Sequence, residues 1–346
     1  MDFGLSEPQR MLQQTTAQFL TETAPLERVR QIMESKEGYD AELLTQLGDQ
    51  GLLGLLVDEE HGGFGLGLLD TIVAAQTLGA HSTPVNFHDQ AVFAPLLLAS
   101  IGGPLAEEWL PKVAGGAARV SVADGALEAT DAGLRALYVP DALHADAFLV
   151  VRGDEVFFVA SENAVTEPLE TVDDTRRLGD ATFGNLGSPL EISTQQVQRA
   201  RQAAQIALAA DALGASRQGL DIAVDYAMQR EQFGRIIGSY QGLKHVCAEV
   251  VAELDPVQSL VWFAAFSWDE QSPDVPWLAP LTKAHATEVG SYAVTQTTQV
   301  FGGIGFTWEC DMHLFYKRVG FDRQLLGNPA ELRRLAADLQ HPAGGS

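Results

Sequence analysis

Arg230-Glu231-Gln232-Phe233-Gly234, followed by Tyr240-Gln241 and Lys244-His245, is the stretch on which the fold turns. A helix ends at a glycine, a Gly-containing turn follows, and a new helix begins near Ser239. Working upstream, one long helix is predicted from about Thr194 to Gln232. Its first half is crowded with small residues, among them Ala200, Ala203, Ala204, Ala207, Ala210, Gly214 and Ala215. Small side chains let a neighbouring helix or a flat ligand approach the backbone, and tight helix packing is the plainer of these two readings. Downstream, Leu243, Val246, Cys247, Val250, Val251 and Leu254 recur at helical spacing and form an apolar stripe. Pro256 then predicts a kink or break. Trp277–Phe301 gives a third long helix, and Met312–Leu339 gives one or two more. Long helices with short connections predict a bundle, with His341–Ser346 as a frayed tail.

Farther out, residues 6–116 read as helices: one to about Glu22, then Tyr39–Gln50, Leu68–Leu78, Asp89–Ser100 and Ala106–Val113. Gly-rich breakers separate them, and Glu59–Gly65 carries too much glycine for a helix. Residues 117–192 change character. Val120–Val122, Ala136–Val139, Ala147–Val151 and Val156–Ala160 are short apolar runs suited to strands, with Arg152–Glu155 as a hairpin turn. The expected organisation is therefore mainly α with a small β domain. Residues 1–116 form an N-terminal helical domain, 117–192 a short, β-barrel-like middle domain, and 193–346 a C-terminal four-helix bundle.

The charge balance narrows the function. Against 46 Asp+Glu stand 22 Lys+Arg, a formal net charge of −24. Nucleic acid is disfavoured as a partner, because phosphate backbones need a basic surface. A phosphorylated small molecule needs only a local group of donors. Met1–Phe19 has no basic segment before an apolar run, and no stretch of about twenty apolar residues occurs. The expectation is a cytoplasmic chain with no membrane association. Cys247 and Cys310 lack metal-ligand spacing and read as two buried thiols. No histidine or carboxylate grouping has metal-site spacing, and no G-x-S-x-G elbow occurs. Glu59-Glu60-His61 reads as a solvated loop.

Two constellations carry candidate chemistry. In the first, Arg230 has the planar fork that suits phosphate. Phe233 offers a flat face, and the N–H groups opening the next helix favour an anion. An ordinary helix–turn–helix with a capping Arg is the competing reading. The second is Gln299-Val300-Phe301-Gly302-Gly303-Ile304-Gly305-Phe306-Thr307. Its glycines allow backbone to lie against a pyrophosphate, or simply end a helix. It follows a helix and not a strand, so a Rossmann reading fails on context.

Together these segments resemble the acyl-CoA dehydrogenase family. Arg230–Gly234 with Tyr240-Gln241 and Lys244-His245 is similar to the family's R-x-x-F-G…F-Q-x-x-K-H. Gln299–Thr307 is similar to Q-x-x-G-G-x-G-[FY]-T. Leu47–Leu55 and Glu59–Gly65 match G-L-x-x-L…P-E-x-x-G-G-x-G, and Val139–Val151 resembles a strand pair of the β domain. The resemblance spans nearly the whole chain in motif order. It implies FAD as cofactor, an acyl-CoA substrate and an electron-transfer flavoprotein or similar acceptor. It also implies α-proton removal by a carboxylate, with β-hydride transfer to the flavin. By residue-wise matching, Arg230, Phe233, Gln241, Gln299, Gly302 and Gly303 reach the FAD pyrophosphate and adenosine, usually of a FAD seated in a neighbouring subunit.

Two departures modify this. The family's usual catalytic Glu falls at Leu326, and the alternative base position on the long helix falls at Ala204, with Gln205 where relatives carry a basic residue. Neither Leu nor Ala accepts a proton. The family's loop over the flavin ring corresponds to Ala123–Asp131, where its threonine and serine donors are not recognisable. The pattern resembles the short subunits of bacterial α2β2 heterotetramers, often of steroid side-chain degradation. Such a subunit would be completed by a longer homologue carrying the base. Asp322 and Glu331 flank the lost Glu without occupying it, and Glu309 and Asp311 follow the glycine loop at positions the resemblance places away from the substrate α-carbon. A non-catalytic structural or regulatory subunit, and a related flavin oxidase or nitroalkane-type enzyme, are the competing functions.

Overall fold

The computed structural model describes residues 4–340; the expected tail at His341–Ser346 lies outside the described residues. The N-terminal helices are α1 (Glu7–Thr23), α2 (Leu26–Glu34), α3 (Ala41–Asp49), α4 (Leu68–Ala80), α5 (Ala94–Ile101) and α6 (Gly103–Ala114). Ser6 and Gln9 close a reciprocal capping box on α1, with Pro8 in its first turn. A six-residue π-helical segment, His88–Phe93, leads into α5. The strands follow: β1 (Val120–Ala123), β2 (Leu127–Thr130), β3 (Gly133–Pro140), β4 (Ala147–Arg152), β5 (Glu155–Ala160), β6 (Ala164–Pro168) and β7 (Leu178–Phe183). After them run α7 (Thr194–Gln229), a two-strand hairpin β8 (Glu231–Gln232) and β9 (Arg235–Ile236), α8 (Gln241–Asp269), α9 (Val275–Phe301), α10 (Met312–Gln324) and α11 (Pro329–Gln340).

The chain divides into two compact units. The first comprises residues 1–29, 72–83 and 206–346. Here the small-residue run of α7 serves helix packing. A Cβ on Gly214 would lie 1.9 Å from the Gln76 carbonyl oxygen, and one on Gly79 2.2 Å from that of Asp211. α4 and α7 thus cross backbone to backbone, and only glycine fits at the crossing. Beside it, Gln76 and Gln258 exchange side-chain hydrogen bonds at 2.7 and 2.9 Å, tying α4 to α8. Ala212 and Ala215 of α7 pack with Val294 of α9 and with Phe315 and Val319 of α10. Arg318 is fully buried in the same unit. Its guanidinium forks onto both Asp211 carboxylate oxygens at 2.7 and 2.8 Å, and its remaining arm donates to the Thr83 carbonyl.

The second unit comprises residues 30–71 and 84–205. Its strands form two open sheets, of order β1-β4-β5 and β2-β3-β7-β6, where a barrel-like closure was expected. Seven short strands split between two sheets leave no continuous ladder to close. The sheets share one apolar core, including Ala123, Val139, Phe148, Phe157 and Phe183. β1 pairs only with β4, in parallel, and its outer edge is met by side chains of the π-helical segment. The Val122 N–H donates to Asp89 at 3.1 Å, and the Gln90 carboxamide donates to the Val120 carbonyl at 3.3 Å.

Three local features sharpen or correct the expectations. α8 continues through Pro256, so the proline does not break the helix. Pro256 and Ala252 are both exposed, so the carbonyl that loses its partner can be hydrated. α7 ends at Gln229, not Gln232, because residues 231–236 turn back as a hairpin. The turn at 325–328 divides the Met312–Leu339 segment into two helices, one of the two outcomes expected, so five helices follow Ser193 among the described residues.

Candidate cofactor site

The site lies in the first unit, where the ends of α7 and α9 meet the start of α8. Tyr226, one turn before Arg230, stacks on Phe301, which directly precedes Gly302. The ring centroids are 4.4 Å apart and the planes 24° from parallel. Around this stack Ala223 and Ala227 of α7, Val300 of α9, and Ile237, Leu243 and Cys247 form one apolar cluster. The two glycine-containing motifs, about seventy residues apart in sequence, are thereby held side by side.

The first motif is a preformed hairpin. Phe233 and Gly234 both have positive φ, 53° and 78°, as the primed two-residue turns of hairpins require. For an L-residue such as Phe this conformation costs roughly 1–2 kcal/mol. The Phe233 side chain is nonetheless 94% exposed at the tip. Arg230 is exposed, and its guanidinium has no hydrogen bond or ion pair among the described residues. Elsewhere Arg135, Arg176, Arg201, Arg217 and Arg318 each sit on a carboxylate. Between residues 230 and 245, Arg230, Arg235 and Lys244 face only one acid, Glu231, a local reversal of the chain's −24. α8 opens at Gln241 with no side-chain cap, leaving its first backbone N–H groups available to an anion.

The second motif caps α9. Gln299, Gly302 and Gly303 are exposed, and residues 302–306 form a short 3₁₀ turn. Gly302 needs its glycine because φ is +65°. Gly303 does not: its φ is ordinary, and a Cβ there would meet nothing within 4 Å. Gly305 is different again, since its Cβ would come within 2.6 Å of the Thr298 carbonyl oxygen. Bare backbone at Gly303, an unpaired arginine, an exposed ring and uncapped helix N–H groups fit a flat, phosphorylated ligand such as the adenosine diphosphate half of FAD.

The positions matched to a catalytic base are otherwise engaged. Leu326 is half-buried between α10 and α11 with φ 54°, followed by Gly327 at φ 104°. The Gly327 carbonyl accepts from the Lys283 ammonium at 2.8 Å. Lys283 is fully buried in α9, and burial lowers its pKa to about 7 against the attraction of Asp322. Glu331 closes a capping box on α11, accepting from the Asn328 N–H while Asn328 accepts from the Glu331 N–H. Glu309 is exposed, Asp311 half-buried and Asp322 buried. In the second unit Ala204 and Gln205 are buried on α7. The stretch at Ala123–Asp131 is the end of β1, a tight turn and β2, with Asp124 taking two bonds of 2.5 Å from Arg201. Asp58, Glu60 and His61 bring ligand atoms within 4.8 Å of one another on the surface loop. Cys247 and Cys310 are both free thiols. Among the described residues no helix is long and apolar enough to cross a membrane.

Sequence reasoning did not single out Tyr226, Arg235 or Lys283. Their signals were an aromatic one turn before Arg230, a second arginine just past the turn, and a lone cation inside an apolar helix.

In chain order, helices precede and follow a small two-sheet β region, an arrangement shared with a solved acyl-CoA dehydrogenase. Residues 6–117 match the acyl-CoA dehydrogenase N-terminal domain and residues 194–338 the C-terminal domain of that family. The chain belongs to this family, an FAD-dependent class of oxidoreductases. It is 32% identical over 342 residues to acyl-CoA dehydrogenase IpdE2 of Mycolicibacterium smegmatis, covering 97% of this chain and 100% of that one. Among solved structures it is similar to Tcur3481-Tcur3483, a steroid ACAD solved as a variant, with TM-score 0.88, 26% identity and coverage of 96% and 98%. The ChsE4-ChsE5 complex from Mycobacterium tuberculosis shares the fold, with TM-score 0.87 at 24% identity over 99% of this chain and 100% of that one.

Proposed function

We propose that this chain is the short subunit of an FAD-dependent acyl-CoA dehydrogenase. It would hold the phosphate side of a flavin whose ring, substrate and base belong to a longer homologous partner. One observation carries the reading. The positions matched to the family's phosphate half, Arg230, Phe233, Gln241, Gln299, Gly302 and Gly303, are all exposed, while both matched base positions, Leu326 and Ala204, are hydrocarbon. Arg230 would bind the pyrophosphate as a fork, the 241–243 N–H groups and the Gly302-Gly303 backbone would donate to it, and Phe233 would cover the adenosine. Bound FAD supplies the hydride acceptor at the acyl β-carbon. Removal of the α-proton needs a carboxylate within hydrogen-bond reach, which the partner would provide. The paired name and steroid label of Tcur3481-Tcur3483, together with the match to IpdE2, support a steroid-derived acyl-CoA ester as substrate and a hetero-oligomer as the active form. The division into segments 1–116, 117–192 and 193–346 belongs to the same reading, as do a cytoplasmic location and an electron-transfer flavoprotein or similar acceptor.

The test compares the chain purified alone with the chain co-purified with its longer homologue, scoring bound flavin and acyl-CoA dehydrogenation. Flavin and turnover are expected only from the complex. Full occupancy and turnover by the chain alone would refute the partner-supplied base. A complex free of flavin would instead assign the chain a purely structural or regulatory part.

A further inference from the structure

The hairpin that presents Arg230 and Phe233 is strained and solvent-exposed, yet four contacts among residues 230–240 hold it. The Tyr240 hydroxyl donates to the Gln232 carbonyl at 3.2 Å. The Arg235 guanidinium lies over the Tyr240 ring, 3.8 Å from its centroid. The Ile237 N–H donates to the Arg230 carbonyl at 2.8 Å, and the Ser239 hydroxyl donates to the Ile236 carbonyl at 2.6 Å. Below, Gly238 sits so close to α7 that a Cβ would come within 2.9 Å of the Ala227 carbonyl oxygen. Tyr240 thus touches both strands of the hairpin, by hydroxyl on β8 and by ring on β9. A two-residue-per-strand hairpin has too few ladder bonds to stand alone in water. A positive φ at a bulky residue persists only where its surroundings over-determine it.

We propose that Tyr240 and Arg235 are positioning residues that keep the 231–236 hairpin in its strained form, so that Arg230 and Phe233 meet the ADP half of the flavin already in place. The inference rests on the flavin reading above. Ordering the loop before binding removes that cost from the binding step, which is where affinity is gained. Phe at position 240 keeps the ring under Arg235 and deletes only the hydroxyl. Met at 235 keeps the apolar stem and deletes the cation.

The experiment uses the full chain in complex with its partner, with Tyr240→Phe and Arg235→Met as variants. FAD and ADP serve as probes, and amide hydrogen exchange is followed across residues 231–236 in the flavin-free complex. Each variant is expected to weaken both probes about three- to tenfold, the effect of one hydrogen bond or exposed cation–π contact. Exchange at 231–236 should quicken while the melting temperature of the flavin-free complex stays at the wild-type value. A role in bulk stability alone would move the melting temperature instead. Wild-type exchange and wild-type probe affinity in both variants would overturn the inference. If the wild-type complex itself takes up neither FAD nor ADP, the flavin reading falls, and the exchange comparison still decides whether the clamp exists.

Discussion

Gly303→Ala separates what the fold needs from what a ligand needs. At this position a Cβ meets no atom within 4 Å and φ is not positive, so nothing in the chain resists the methyl group. Replacing a glycine at a compatible position stabilises a protein by about 0.4–1 kcal/mol through the unfolded chain. The variant should therefore fold as well as wild type or slightly better. If the bare backbone at 302–303 is there to approach a pyrophosphate, the methyl group holds the phosphate off and costs a charge-assisted hydrogen bond, about 1.5–3 kcal/mol. That corresponds to a loss of flavin affinity of roughly ten- to a hundredfold or more. Gly305→Ala is the contrasting variant. Its Cβ would lie 2.6 Å from the Thr298 carbonyl oxygen, so it should destabilise the chain directly. Thermal melts of each flavin-free complex, paired with flavin titrations, read the two effects separately. Wild-type flavin affinity in Gly303→Ala would refute the assignment of this backbone to phosphate binding.

Two further outcomes concern buried charge. Arg318→Met strands Asp211 without its partner and should cost about 3–5 kcal/mol in denaturant unfolding, whereas Asp211→Leu/Arg318→Met should regain much of it; equal losses in both would contradict the pairing. Burial pushes the Asp89 carboxyl well above the usual carboxylate range, against the lowering effect of the Val122 N–H. Its folded pKa is raised, so its contribution to stability is fully present below the unfolded value of about 3.9 and is lost as pH rises through the folded value. Asp89→Asn, which keeps an acceptor for Val122, should flatten that pH dependence. Parallel stability–pH curves for the two proteins would show that the proton sits elsewhere.

Much of the helical fold was legible because its signals are local. Gly and Pro mark the ends of α4, α6 and α9, and the apolar stripe from Leu243 to Leu254 places α8. The strand pair around Arg152–Glu155 was equally readable: Arg152 and Glu155 are register partners across the turn. α2 and strands β2, β6 and β7 were missed. β2 and β6 are largely exposed and carry no apolar alternation, and β7 is defined by its pairing with β3 and β6. α2 does carry a helical apolar stripe, Leu26, Val29, Ile32 and Met33, a short signal that was passed over. At the site, residue types and spacing pointed to the phosphate-facing side chains. The stacking of Tyr226 on Phe301 and the hold of Lys283 on the Gly327 carbonyl were not readable, because they join residues tens of positions apart. The small-residue run on α7 allowed two meanings, and the contacts at Gly79 and Gly214 select helix packing there.

The outer edge of β1 bears on how a small sheet ends without a further strand. Val120-Ser121-Val122-Ala123 is a short, uncharged, β-prone segment at the end of a sheet, the kind of edge that recruits a foreign strand. Asp89 and Gln90 occupy that edge with one acceptor and one donor, so its hydrogen-bonding groups are satisfied by side chains and not by a further strand. A β region this small therefore has no need of extra strands for protection from self-association. Replacing both side chains with apolar ones is expected to leave the Val122 N–H and the Val120 carbonyl without these partners and the β1 edge open to a further strand.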